Sequence, residues 1–202
     1  MKTDSPRTVV LASRSPRRLE LAVREGWIVR VAEPPEEAEA EAAPRRPDES
    51  LADYVRRLAL AKARAVGEGF ATGTIVACDT LSEVDGIPLG KPADRADAKR
   101  MLESLSGRTH RVVSGVCVWQ RPELEPLQAA AESLLEMGPL EAEFLDWYLD
   151  SGMWRGKAGA CGFQDERLPL RLLAGSASNV VGLPLEILRD MLAEIDARLA
   201  RA

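Results

Sequence analysis

Thr8-Val-Val-Leu-Ala-Ser-Arg-Ser-Pro-Arg-Arg-Leu-Glu-Leu-Ala-Val23 is a segment in which a strand, a turn and a helix follow one another directly. Thr8 to Ala12 is a short apolar run, which predicts a buried strand. Ser13 to Ser15 turn the chain, and Ser15 stands where a helix cap belongs. Pro16 suits the first helical position, where its missing N–H costs nothing. The predicted helix carries Leu19, Leu21, Ala22 and Val23 and stops at Gly26. Trp27 to Ala32 predicts a second strand. Strand, helix and strand in succession point to an α/β architecture.

The rest of the chain continues that alternation. Glu33 to Pro47 is rich in proline and acid and predicts an exposed loop. A helix opening at Asp48 or Ser50 has Leu51, Tyr54, Val55, Leu58 and Ala61 at helical spacing and ends between Gly67 and Gly73. Thr74 to Cys78 predicts a central strand with Asp79 and Thr80 at its end. Asp85-Gly86 signals a hairpin leading to Gly90-Lys91-Pro92. A helix over 94–105, a long strand over Thr109–Trp119, a loop over 120–130 and a helix over Leu140–Leu149 follow. After a glycine-rich stretch from Gly152 to Gly162, Pro184 starts a last helix with Leu185, Leu188, Met191, Leu192, Ile195 and Leu199 at helical spacing. There is no internal repeat and no separating linker, so one domain over 1–202 is expected.

Composition sets the outer limits. With 202 residues, 46% hydrophobic and 29% charged, the chain has the mixture of a soluble globular protein. No apolar run approaches the ~18–20 residues a membrane-spanning helix needs. Residues 1–18 lack the apolar centre of a secretory signal, so the expected address is the cytoplasm. Cys78, Cys117 and Cys161 are odd in number and far apart, which argues against zinc and against a disulfide framework. A single His110 excludes any mechanism needing two imidazoles. The net charge of −5 argues against a general nucleic-acid binder. Its distribution is uneven: residues 1–30 hold seven basic and three acidic side chains, residues 121–150 one basic and eight acidic. That asymmetry predicts an anionic ligand near the N-terminus, although such runs also simply solvate helix faces.

Three segments carry candidate chemistry. In Ser13-Arg-Ser-Pro-Arg-Arg18, a helix start offers backbone N–H groups and positive dipole, Ser13 and Ser15 offer hydroxyls, and Arg17 and Arg18 offer forked donors matched to phosphate. The same residues also read as a capped surface helix with incidental arginines. Asp79 can hold a divalent metal or orient water, and Lys91 can neutralise phosphate charge, with Glu33 as a second carboxylate. An Asp turn with a solvated lysine is the plainer alternative. In Lys157-Ala-Gly-Ala-Cys-Gly-Phe-Gln164, small residues let backbone approach a ligand, and Gln164 can both donate and accept at the edge of a base. His110 and the three cysteines read as structural.

Six segments, LASRSPRRLEL (Leu11–Leu21), ACDT (Ala77–Thr80), LGKP (Leu89–Pro92), LSGRTH (Leu105–His110), KAGACGFQ (Lys157–Gln164) and SNVVGLPLE (Ser178–Glu186), occur in one order over nearly the whole chain. In this the sequence resembles the Maf family of nucleoside triphosphate pyrophosphatases. The resemblance implies a mixed, elongated sheet with flanking helices around a deep cleft, similar to inosine triphosphate pyrophosphatases, and a homodimer. It implies hydrolysis of a nucleoside triphosphate to the monophosphate and pyrophosphate with a divalent cation, Mg²⁺ or Mn²⁺. It also implies Asp79 as proton acceptor for the attacking water, Glu33 as a carboxylate near the metal, and Ser13, Arg17, Arg18, Lys62 and Lys91 around the triphosphate. Asp79-Thr80 and KAGACGFQ are similar to the branch acting on dTTP and UTP, with Arg17, Thr80 and Gln164 as specificity positions. The alternatives are a 7-methyl-GTP pyrophosphatase or a nucleotide-binding regulator of cell division with little catalysis. Against the family pattern stand Cys161 for an aromatic, Asp165 for a glycine, Met153 for an acid and Cys78 for Ala or Ser. Residues 120–139 match poorly.

Overall fold

The strand–turn–helix–strand beginning at Thr8 is present in the computed structural model, which describes residues 6–40 and 44–201. The elements are β1 (Thr8–Ala12), α1 (Pro16–Arg24), β2 (Ile28–Val31), α2 (Glu37–Ala40), α3 (Leu51–Gly67), β3 (Gly73–Val84), β4 (Ile87–Leu89) and α4 (Arg95–Leu105). They continue with β5 (Thr109–Arg121), β6 (Leu127–Met137), α5 (Ala142–Ser151), a 3-10 turn at Ala158–Ala160, β7 (Leu170–Ala174), α6 (Ala177–Val181) and α7 (Leu185–Leu199). The strands form a mixed sheet in the order β2-β1-β3-β5-β6-β7, with β4 paired to β3. β1 runs parallel to β2 and β3, while β3–β4 and β6–β7 are antiparallel. No helix among the described residues is long and apolar enough to cross a membrane. Lys2 and Asp4 of the N-terminal charge count, the start of the segment read for a signal, and 41–43 of the expected loop lie outside the described residues.

Several expectations are corrected. β3 extends to Val84, so Asp79 stands inside a strand rather than at its end. β1, however, pairs with β3 only as far as Ala12↔Ala77, so Asp79 lies two residues past the point where its parallel neighbour stops. The expected 33–47 loop contains α2, and the 120–130 loop gives way to β6 from Leu127. β7 and α6 are additional to the elements that the sequence predicts. Ser15 occupies the cap position of α1, but its side chain makes no cap bond; its N–H instead donates to Ser13 Oγ (3.1 Å).

The chain divides into two compact units. The first comprises residues 1–79, 114–131 and 182–202, and the second 80–113 and 132–181. In the first, side chains alternate along the strands into two cores. Val9, Leu11, Val76, Cys78, Val116 and Val118 pack with Ala22 of α1 and Leu188, Leu192 and Ile195 of α7. Val10, Ala12, Ile75, Ala77 and Cys117 pack with Ala59, Ala63 and Val66 of α3. Burial on both faces explains why these strands read as unbroken apolar runs. It also sends Cys78 and Cys117 into opposite cores, and burial pushes their thiols up to about 11 and about 12, so both behave as small apolar side chains.

The second unit has its own core, in which Val84 and Leu89 of the hairpin meet Ala98, Leu102 and Leu105 of α4 and Tyr148 and Leu149 of α5. Val84 pairs with Ile87 across a two-residue turn whose members, Asp85 (φ 51°) and Gly86 (φ 78°), both have positive φ. That conformation matches the twist of the flanking strands and favours an Asp-Gly sequence.

Candidate active site

In the first unit the site grows out of strand periodicity. Ile75 and Ala77 face α3, so Asp79, two residues on, shares their side of β3. On α3, Val55, Ala59, Lys62 and Val66 form one buried stripe at helical spacing. Lys62 is therefore a cation on an apolar face, and its Nζ donates to Asp79 Oδ1 in a buried ion pair. The helix that delivers it is anchored over its first turns. Ser50 caps it by accepting from Asp53 N (3.1 Å), and Gly115 of β5 lets the α3 backbone approach so closely that a Cβ there would lie 2.1 Å from Val55 O. The buried stripe of α3 is Leu51, Val55, Leu58, Ala59, Lys62, Ala63 and Val66, a phase in which Tyr54 and Ala61 fall at its margin.

The turn after β1 meets the other side of the same backbone. Ser13 is buried and its Oγ lies 3.5 Å from Arg18 Nη1. Arg18 also donates from Nη1 to Cys78 O (2.7 Å) and from Nε to Gly182 O (2.7 Å). A guanidinium thus ties the first turn of α1 to the peptide group immediately before Asp79 and to the loop leading into α7. Arg17 is half-buried on the same turn. Arg14 points the other way, to Glu36 Oε1 (2.9 Å), Pro34 O (2.9 Å) and, at 3.8 Å, Glu33 Oε2. Glu33 itself is exposed.

In the second unit, Thr80 continues β3, and Lys91 is exposed just beyond the hairpin. Gly159 N donates to Gly90 O (3.0 Å), which draws the residue before Lys91 to the glycine-rich segment. Gly159 has φ +66°, and a Cβ there would meet Ser82 Oγ at 3.0 Å, so both conformation and space call for glycine. Gln164 is exposed in the loop that follows. Lys157 and Asp165 close that loop with a buried ion pair. The sequence marks the departure at 165 but points to no role for either residue. A lysine eight residues before an acid carries no helical or strand spacing, so only the folded loop brings the two together. The same is true of Arg18 and the carbonyls of Cys78 and Gly182, since backbone acceptors leave no mark in a sequence.

Among the described residues no three or more His, Cys, Asp or Glu side chains gather where they could hold a metal ion. The two candidate donors, the buried Asp79 of β3 and the exposed Glu33 just after β2, are carboxylates. A hard cation such as Mg²⁺ commonly takes one or two carboxylates and completes its shell with water and substrate phosphates, so this oxygen-only donor set fits one.

The sequence profile described as Maf-like protein matches residues 8–195, a span that takes in all of the second unit and most of the first. The chain belongs to the Maf family. Its Maf relatives include proteins named dTTP/UTP pyrophosphatase from Symbiobacterium thermophilum (42% identical over 92% of this chain and 93% of the relative) and Rhodopirellula baltica (39%, over 93% and 82%). One from Pyrococcus abyssi is 34% identical over 91% of this chain and 94% of its own. Among solved structures, that of a HAM1 protein from Coxiella burnetii superposes with a TM-score of 0.50, covering 93% of this Maf chain and 99% of that one. At 18% identity the likeness speaks for a shared fold.

Proposed function

We propose that this Maf-family chain hydrolyses dTTP and UTP to the nucleoside monophosphate and pyrophosphate, within a single catalytic region spanning 1–202. The observation that carries the reading is the buried Lys62–Asp79 pair beyond the end of β1, beside an arginine-bearing helix start. Support comes also from the relatives' names and from the six ordered motifs.

Cleavage between the α- and β-phosphates needs a positioned water and neutralisation of charge on the leaving pyrophosphate more than it needs a covalent intermediate. Asp79 accepts the water proton. Lys62 holds Oδ1 and so fixes the carboxylate that receives the proton. The water oxygen bonds to phosphorus, the bond to the bridging oxygen breaks, and pyrophosphate departs. Ser13, Ser15, Arg17 and Lys91 supply hydroxyl and cationic donors to the phosphates, and Arg18 holds the turn in place. Glu33 and Asp79 would hold the divalent cation together with substrate oxygens, and that ion, when bound, lowers the charge the phosphates present. Arg17, Thr80 and Gln164 select the base.

A panel of natural and 7-methylated triphosphates, scored by pyrophosphate release with Mg²⁺ or Mn²⁺, tests this directly. dTTP and UTP are expected to lead it, and Asp79→Asn should cost about 10²–10⁴ in kcat, the range of a lost general base. If no triphosphate is cleaved the enzymatic reading is wrong, and a preference for 7-methyl-GTP would overturn the choice of base.

A further inference from the structure

The loop 157–168 is tied down more firmly than its glycine content suggests, and the ties converge on one carboxylate. Asp165 lies with its side chain 10% exposed, as does that of Lys157. Lys157 Nζ contacts both carboxylate oxygens, at 2.5 Å for Oδ1. Tyr148 Oη of α5 donates to Oδ2 (2.7 Å), and Gly162 N donates to the same oxygen (3.1 Å). Asp165 N returns a bond to Gly162 O (3.0 Å). The knot leaves no room at Gly162, where a Cβ would sit 2.9 Å from Lys157 Nζ and 3.0 Å from Asp165 Oδ2. Three residues past Gln164, the Arg167 guanidinium lies 3.9 Å from the centroid of the Trp147 ring, on the same helix as Tyr148. Gln164 is therefore an exposed side chain flanked on both sides by tethered residues.

We infer that Asp165 is a positioning residue for Gln164: by closing the 157–165 loop onto Lys157 and Tyr148, it holds the Gln164 amide ready to meet the base. The inference rests on the proposed role of Gln164 as a base reader. Two consequences follow from the charges. Lys157 is spent as the internal counter-ion of Asp165, so it is not a phosphate ligand. The negative charge at 165 is offset where it stands, so it does not repel a phosphorylated substrate. A buried pair of this kind contributes little net stability against an apolar equivalent, but it restricts the arrangements open to the loop. Preorganisation of an amide that must both donate and accept should appear in substrate affinity and base choice rather than in turnover.

The test is a kinetic cycle with dTTP and GTP on the full chain, comparing wild type, Gln164→Ala, Asp165→Asn and the double variant. Asp165→Asn keeps the size of the side chain and removes its charge. It is expected to raise the KM for dTTP about tenfold and to narrow the preference for dTTP over GTP, with kcat within about threefold of wild type. In the Gln164→Ala background the same change should add nothing, because the residue through which it acts is already gone. Should Asp165→Asn fold poorly, Lys157→Met/Asp165→Asn removes both charges and enters the same cycle. A lowered Tm with unchanged KM and base preference would reduce Asp165 to a structural role and overturn the inference. So would additive losses in the double variant, which would leave the reading of Gln164 intact. An unchanged KM and preference in Gln164→Ala would remove that reading, and this inference with it.

Discussion

His110 is buried in β5, and neither of its ring nitrogens finds a hydrogen-bond partner among the described residues. Burial pulls its pKa down from the ordinary 6.5 to about 4, since a protonated imidazole without water or a counter-charge is costly. The folded chain thus holds the ring neutral, while the unfolded chain takes up the proton first as acid is added. Stability from this residue is complete above pH 6.5 and drains away as the pH falls toward 4, by about 3 kcal/mol in all. Urea unfolding of wild type and His110→Phe at pH 7.5 and 4.5 should show a smaller acid-induced loss in the variant; equal losses would exonerate the imidazole. A different residue, Asp79, shows how far a sequence can be read. Its carboxylate after an apolar run was visible as a candidate, but Lys62 was reachable only through the family resemblance, because a lysine within helical periodicity reads as surface.

Packing between elements places that lysine. α3 can aim Lys62 at β3 only because β5 offers Gly115 at the crossing, where Val55 O would lie 2.1 Å from any Cβ. Gly115→Ala should push α3 off the sheet and destabilise by about 1–3 kcal/mol or more, the usual cost of overpacking. Because the displacement falls two helical turns from Lys62, kcat for pyrophosphate release should drop as well; a variant with a lower Tm and full activity would disconnect the crossing from the site. The same scale accounts for the missed strand β6. Leu127-Gln-Ala-Ala-Ala-Glu-Ser-Leu-Leu-Glu-Met137 is made of residues with good helix propensity, yet it lies extended between β5 and β7. Neighbouring strands supply the hydrogen bonds and the partners for its side chains, and such context outweighs intrinsic preference. Where local chemistry and context agree, as at Asp85-Gly86 and at the Asp94 cap of α4, the elements lie where the sequence predicts them.

For the whole molecule, ligand linkage is the natural probe. A dTTP analogue with a methylene group between the α- and β-phosphorus atoms cannot be cleaved but should bind the folded chain alone. At a hundred times its Kd, with Mg²⁺ present, it should stabilise the protein by about 2.7 kcal/mol, read as a rise in Tm. Asp165→Asn should reduce that rise at fixed ligand concentration, and a Tm insensitive to the analogue would count against triphosphate binding. Legible along the chain, before any folding, are the α/β class, the strand–turn–helix with its serines and arginines, the candidate carboxylate Asp79 and, through ordered motifs, the family. These are local patterns, set by side-chain periodicity, turn chemistry and short spacings. Folding alone buries Lys62 against Asp79, brings Arg18 onto the carbonyls of Cys78 and Gly182, and pairs Asp165 with Lys157. Each of those contacts joins residues with no periodic relation in the chain, or involves backbone atoms that every residue carries, so their chemistry exists only once the fold has brought them together.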